Sequence, residues 1–197
     1  MGAYTEASEY YSTAMGYDTE ASGYASTAMG YYTTASGYYS TAMGGDTTAD
    51  GDFSTAMGEG TTANGYASTA MGNSTTASDY GSLVIGQYNS SGSSVTSADS
   101  FSTANTAFVI GNGVDTNNKS DAFKVMFNGN TTAAGSVTAT AFIGDGSQLT
   151  GVGGSPFSLA SSDGIQSNNN TASGFFSIAM GTNTTASGSR STAMGDD

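Results

Sequence analysis

Two rhythms run through the polar and apolar positions of this chain, a short one inside a long one. The short one is a strict alternation: in Thr13-Ala14-Met15, Thr13 and Met15 share one face and Ala14 takes the other, the period of two expected of an extended strand. The long one is a period of 14, which carries Met1 to Met15, Met29, Met43, Met57 and Met71, with Ile85 in the next place. The phrase Ser12-Thr13-Ala14-Met15-Gly16 returns at Ser26–Gly30, Ser40–Gly44, Ser54–Gly58 and Ser68–Gly72, then loosens to Ser82-Leu83-Val84-Ile85-Gly86. Between these phrases run Thr5-Glu6-Ala7, Thr19-Glu20-Ala21, Thr33-Thr34-Ala35, Thr47-Thr48-Ala49, Thr61-Thr62-Ala63 and Thr75-Thr76-Ala77. A fixed period without insertions over so many units marks a stacked repeat.

Fourteen residues are too few for a helix-turn-helix unit, and the glycines would break helices. They suit two short strands joined by two tight corners. Ser-Thr-Ala-Met-Gly predicts one strand and Thr-x-Ala-x-Gly the other. The variable pairs Tyr17-Asp18, Tyr31-Tyr32, Tyr38-Tyr39 and Asp52-Phe53 fall at the corners, where loops tolerate change. The substitutions respect the alternation: Leu83 stands for the Thr, Val84 for the Ala and Ile85 for the Met. Identical residues one coil apart then stack at about 4.8 Å, so six coils make a rod of roughly 29 Å. The prediction is an all-β, narrow parallel β-solenoid. Its expected core is a double ladder of Ala14, Ala28, Ala42, Ala56 and Ala70 with Met15, Met29, Met43, Met57, Met71 and Ile85.

The unit Ser-x-Ala-Met/Ile-Gly-x-x-Thr-x-Ala-x-Gly resembles the head repeat of trimeric autotransporter adhesins (YadA-like, or haemagglutinin, repeats). It covers about residues 1–86 and again 171–197. The resemblance implies a left-handed parallel β-roll with two short strands per coil, three chains lying side by side as a homotrimer. The same repeat occurs in fibres of phages and other viruses. This chain departs from the family in carrying Met where Ile or Val is usual, and in an unusually Thr-rich second strand. Met fills irregular gaps readily, so neither change opposes the fold.

The register then breaks. From Ile85 to Ile110 is 25 residues, an insertion of eleven across 87–113 that carries Ser90-Ser91-Gly92-Ser93-Ser94 and ends with one returning unit, Ala107-Phe108-Val109-Ile110-Gly111. The bulkier Phe108 and Val109 suit a closing layer. Residues 114–152 change character. Asp121–Phe127 alternates as a strand, Asn128-Gly129 signals a turn, and Ser136–Ile143 reads as a further strand. The phrase Gly144-Asp145-Gly146-Ser147-Gln148-Leu149-Thr150-Gly151 resembles connectors in phage tail fibres and trimeric surface fibres, so this stretch is expected to be a β connector between two heads. Residues 153–170 read as a linker or degenerate coil, and 171–197 as a second head that restarts at Thr171-Ala172 and Ser177–Gly181.

Composition narrows the function more than the fold. Net charge is −13, with only three Lys and Arg residues (Lys119, Lys124 and Arg190). That opposes nucleic-acid binding, which needs clustered positive charge, and suits a soluble extracellular rod. The absence of Cys removes disulfides and thiolate metal sites. No apolar run reaches the length of a membrane span, so membrane insertion is not expected of these residues. Met1 sits on the methionine grid and Asp196-Asp197 stop inside a unit, so the chain is expected to be part of a longer fibre.

Candidate chemistry is sparse. With neither His nor Cys, the commonest general base, the thiol nucleophile and most transition-metal sites are missing. Asp50 and Asp52 would be the carboxylate pair of a glycan hydrolase, but they fall at a corner and do not recur. Asp145-Gly146-Ser147 and Asn112-Gly113-Val114-Asp115 could offer oxygen ligands to calcium, though such pairs serve mostly as turns. Asn73, Asn130 and Asn183 open sequons. No cofactor is implied. Tyr10, Tyr24, Tyr38, Tyr11, Tyr39 and Tyr66 fall at corner sites. They either cover the core by stacking or form a contact surface, since Tyr is favoured in recognition. The expected role is therefore non-enzymatic: a structural and adhesive segment of an extracellular trimeric fibre, on a bacterial surface or a virion, holding a host glycan or protein. A different class, an ice-binding solenoid, would use the ranks Thr33/Thr47/Thr61 and Thr34/Thr48/Thr62.

Overall fold

A computed structural model describes residues 2–92, 96–140, 158–159, 165–166 and 170–196. The chain divides into two compact units, Met1–Thr138 and Ala139–Asp197. Among the described residues every regular element is a strand.

In the first unit each coil contributes one five-residue and one two-residue strand. The long ones are Thr13–Tyr17, Thr27–Tyr31, Thr41–Gly45, Thr55–Glu59, Thr69–Asn73 and Leu83–Gln87. The short ones are Glu6–Ala7, Glu20–Ala21, Thr34–Ala35, Thr48–Ala49, Thr62–Ala63 and Thr76–Ala77. The long strand starts one residue later than its phrase predicts and runs one residue past the glycine. Neighbouring coils pair in parallel with like residues opposite: Met29 with Met43, Gly30 with Gly44, Thr34 with Thr48. The long strands lie in a ten-stranded sheet and the short ones in a six-stranded sheet.

Between the sheets lies alanine. Ala28, Ala42, Ala56 and Ala70 from the long strands, and Ala21, Ala35, Ala49, Ala63 and Ala77 from the short ones, are fully buried in one cluster that ends on Val84 and Val109. The methionines sit on the opposite, outer side of the long strands. Met15 and Met57 are exposed, and Met29, Met43, Met71 and Ile85 half-buried. The expected Ala/Met core of a coil is therefore alanine alone within one chain. Alternation sends neighbours to opposite faces, and so small a coil admits only a methyl from each side. Thr19, Thr33, Thr47, Thr61 and Thr75 also point inward, with Oγ1 atoms that are buried and have no hydrogen-bond partner. The rank Thr33/Thr47/Thr61 is thus closed to ice, and only Thr34/Thr48/Thr62 faces outward.

Glycine sets how closely coils approach. Gly44 has φ +126, and a Cβ built on it would lie 2.0 Å from the carbonyl oxygen of Gly58. The corners bring non-glycine residues into the left-handed region, Tyr32 at φ 52 and Tyr39 at φ 59 among them. That conformation costs about 1–2 kcal/mol per residue. In return each corner amide reaches the coil behind it: Tyr32 N–H donates to the Tyr17 carbonyl at 3.0 Å and Tyr39 N–H to that of Tyr24 at 2.8 Å.

Two side chains end the regular stack. Asn89 occupies the next rung of the buried threonine ladder after Thr75. Its Oδ1 accepts from Thr76 N–H (2.8 Å) and its Nδ2 donates to the Thr76 carbonyl (2.9 Å), standing in for the backbone of a missing strand. Asp79 stands where Gly23, Gly37, Gly51 and Gly65 stand in earlier coils. Fully buried, it accepts from the backbone N–H groups of Thr96 (2.6 Å) and Thr106 (2.8 Å), fastening the insertion. The strand Thr106–Asn112 then rejoins the sheet in register, Leu83 opposite Phe108 and Ile85 opposite Ile110. Asp121–Met126 follows it antiparallel, and Thr131–Ala133 pairs antiparallel with that strand. The region expected as a separate connector thus begins by extending the same sheet. Residues 136–140 are not in a strand; the remainder of the predicted strand and the Gly144–Gly151 phrase lie outside the described residues.

The second unit repeats the plan. Ile178–Thr182 pairs in parallel with Thr192–Asp196, and Thr171–Ala172 with Thr185–Ala186, over buried Ala172, Ala179 and Ala186. Ile165–Gln166 adds a further parallel strand to Ile178–Thr182. Asn170 holds the Thr-ladder place here, accepting from Thr184 N–H at 2.7 Å.

Two substitutions separate these constraints. Gly44→Ala is expected to destabilise the chain by at least about 3 kcal/mol, since backbone must move. Gly45→Ala, with nothing within 4 Å of the added carbon, should change stability by under about 0.5 kcal/mol. Thr47→Val removes an unpaired buried hydroxyl and is expected to be neutral or stabilising by up to about 1 kcal/mol. Denaturant midpoints measure all three; a Gly44→Ala chain as stable as the parent would remove the close-approach argument.

Candidate contact surface

The corner tyrosines resolve into two separate aromatic ladders, because each coil has two corners. At the first corner the rings of Tyr11, Tyr24, Tyr39, Phe53, Tyr66 and Tyr80 follow one another with centroids 5.6, 5.5, 5.0, 5.3 and 5.1 Å apart. They come from two adjacent places in the repeat. Where Ala25 or Ala67 occupies the left-handed position, the residue before it supplies the ring. The stack is therefore continuous although neither sequence position is. Of the predicted corner tyrosines, Tyr11, Tyr24, Tyr39 and Tyr66 join this one ladder. Tyr38 lies beside it, 6.2 Å from Tyr24, and Tyr10 is exposed.

The second corner carries Tyr4, Tyr17, Tyr31 and Tyr32, which the sequence reading did not group. Tyr17 and Tyr31 stack at 5.4 Å and 19°, Tyr4 meets Tyr17 edge-on at 5.5 Å, and Tyr31 meets Tyr32 edge-on at 4.3 Å. Their signal in the sequence was the interval of 14 between Tyr17 and Tyr31. A side-chain hydrogen bond with Tyr31 and electrostatic repulsion from that neighbour raise the Tyr32 phenol above its ordinary pKa.

Stacking leaves specific groups for a partner. In Tyr39–Phe53 (13°) and Tyr66–Tyr80 (5°) ring faces meet each other, so edges and phenol oxygens remain for solvent. Such a surface offers hydrogen bonds more than flat platforms.

Several acidic residues tie the scaffold together. Ser36 Oγ donates to Asp50, and Tyr38 N–H donates to Asp52 at 2.8 Å, so the proposed carboxylate pair serves as coil-to-coil ties. Asp115 accepts from Asn117 N–H at 2.8 Å and from Asn118 Nδ2 at 2.9 Å, which spends its carboxylate inside its own loop. Among the described residues no group of three acidic side chains could hold a metal; Asp145-Gly146-Ser147 lies outside them. Among the same residues no helix is long and apolar enough to cross a membrane. Of the sequons, the one at Asn73 has its Thr75 fully buried, whereas Asn130-Thr131-Thr132 is exposed.

Stacked fourteen-residue coils, like residues in register and an alanine interior define a parallel β-solenoid whose outer features are ladders. The YadA head domain repeat matches residues 7–33, 35–61, 63–89 and 172–197, more than half of the chain, and the chain belongs to that family. No curated protein and no solved structure gives a significant match to it. Membership points to a structural, adhesin-like role. The stretch between the matched regions includes the connector phrase, which the match does not cover.

The Asp115 loop supplies a pH test. Hydrogen bonds from Asn118 and Asn117 hold its pKa below the ordinary 3.8. Its contribution to the loop is therefore present above the ordinary value and is lost as pH falls through the lowered one. A carboxyl-carbon NMR titration is expected to give a midpoint below 3.8; a midpoint above it would mean that the loop is open in solution.

Proposed function

We propose that the chain forms a homotrimeric, non-enzymatic adhesive segment of an extracellular fibre, on a bacterial surface or a virion, which holds a host glycan or protein through its tyrosine corners. The observation that carries this reading is the outer face of the ten-stranded sheet. Two of its outward ranks run Thr13, Thr27, Thr41, Thr55, Thr69, Leu83, Phe108 and Met15, Met29, Met43, Met57, Met71, Ile85, Ile110, with no charge in either, on a chain of net charge −13. A long uncharged stripe on an acidic chain suits burial against copies of itself. The face grows more apolar toward Leu83, Phe108 and the Phe123 that pairs with Ile110.

The corners then remain for the receptor. Tyr10, Tyr11, Tyr24, Tyr38, Tyr39 and Tyr66 would meet sugar or peptide hydrogen-bonding groups with their hydroxyls. Three chains and successive coils repeat each weak contact, so avidity replaces affinity.

Sedimentation equilibrium of the intact chain is expected to return three times 19.6 kDa. Met43→Glu would bury three carboxylates in the proposed contact and should weaken association by at least about tenfold. A stable monomer, or a trimer indifferent to Met43→Glu, would overturn the assignment of this face. For the receptor, Tyr24→Ala and Tyr39→Ala together should reduce binding to host cells without lowering the sedimented mass; undiminished binding would remove the tyrosine corner from the reading.

A further inference from the structure

We propose that the tyrosine ladders are sites of oxidative cross-linking, where a one-electron oxidant of the haem-peroxidase class joins tyrosines of adjacent coils through a carbon–carbon bond. Three observations combine. Tyr17 and Tyr31, in register on neighbouring long strands, hold their rings 5.4 Å apart at 19°, and Tyr66 and Tyr80 hold theirs 5.1 Å apart at 5°. Tyr17 and Tyr31 are 41% and 54% exposed, open to an oxidant that acts by contact. The chain has no Trp, no Cys and no His, so the side chains that most readily compete for a tyrosyl radical are missing.

The chemistry balances. Each phenol gives up one electron to the peroxidase and its O–H proton to water, leaving spin density on the ring carbons beside the oxygen. Two such carbons on neighbouring rings bond. The hydrogens on those carbons then pass, as protons, to the two ring oxygens and restore two phenols. One hydrogen peroxide accepts the two electrons and two protons and leaves as two waters, so the chain loses two hydrogens per link. Rings already held one coil apart need no encounter, and such positioning is worth orders of magnitude in rate.

The ladder also limits where links form. Phe53 stands between Tyr39 and Tyr66 and has no phenol to oxidise, so the first corner divides into a Tyr11–Tyr39 block and a Tyr66–Tyr80 block. The 17–31 and 66–80 links each close a fourteen-residue loop, the coil itself, and would act as covalent staples in a chain without cysteine.

The test uses the intact chain, dilute, with a haem peroxidase and hydrogen peroxide. Dityrosine fluorescence should appear while the chain keeps its single-chain mobility on a denaturing gel. Peptide mass spectrometry should join residue 17 to 31 and 66 to 80, each with the loss of two hydrogens; methionine oxidation adds oxygen instead and is told apart. Tyr31→Phe should abolish the first link and spare the second. Phe53→Tyr should create links from residue 53 to Tyr39 or Tyr66. Links formed chiefly between chains, links unchanged when the chain is first unfolded in denaturant, or oxidation without coupling would each overturn the proposal.

Discussion

Everything in this molecule depends on how near one coil's backbone lies to the next at the glycines. A carbon added to Gly44 would sit well inside contact distance of the Gly58 carbonyl, so the approach is possible only for a residue with no side chain. That approach repeats at Gly16, Gly30, Gly58 and Gly72 and keeps like residues opposite one another. Register then does the rest. It brings alanine over alanine inside, methionine over methionine outside and ring over ring at the corners. A single coil has almost no interior, and the stack makes the protein.

This dependence explains why the core is so poor in apolar volume. Two ranks of methyl groups and a rank of threonines whose hydroxyls find no partner would not hold an isolated coil. They suffice because neighbouring coils pair strand to strand in register along the stack. The larger apolar side chains are turned outward, where a single chain leaves them half in water. An inside of alanine and an outside of methionine leaves apolar side chains that no coil of the same chain can cover.

How much of this the sequence made legible follows from what a period can report. The interval of 14, the strand pair, the corners and the inward alanines were all readable from Met15, Gly16, Ala14 and their repeats. The side taken by the methionines was not. Hydropathy puts Met inside, whereas the small cross-section of a coil, a property of the closed structure, leaves it outside. The second tyrosine ladder was missed because Tyr4 and Tyr17 occupy neighbouring places that only a folded corner brings together. Asp79 and Asn89 were visible as breaks in a glycine ladder and a threonine ladder, yet their roles as ties for the insertion depend on backbone amides far along the chain. The antiparallel strand Asp121–Met126 was readable as a strand but not as part of the solenoid's own sheet, since pairing partners leave no trace in local alternation.

Asn89 has a consequence for ancestry. Its amide completes the last short strand without any further coil, and what it meets is backbone alone, that of Thr76 and of Ser91. Every earlier junction joins two nearly identical surfaces. Duplicating or deleting one unit in the gene would therefore leave all remaining junctions, and the terminus, as they were. The number of coils is a quantity that heredity can alter in whole steps, so the length of such a solenoid can change between generations without the fold being invented again.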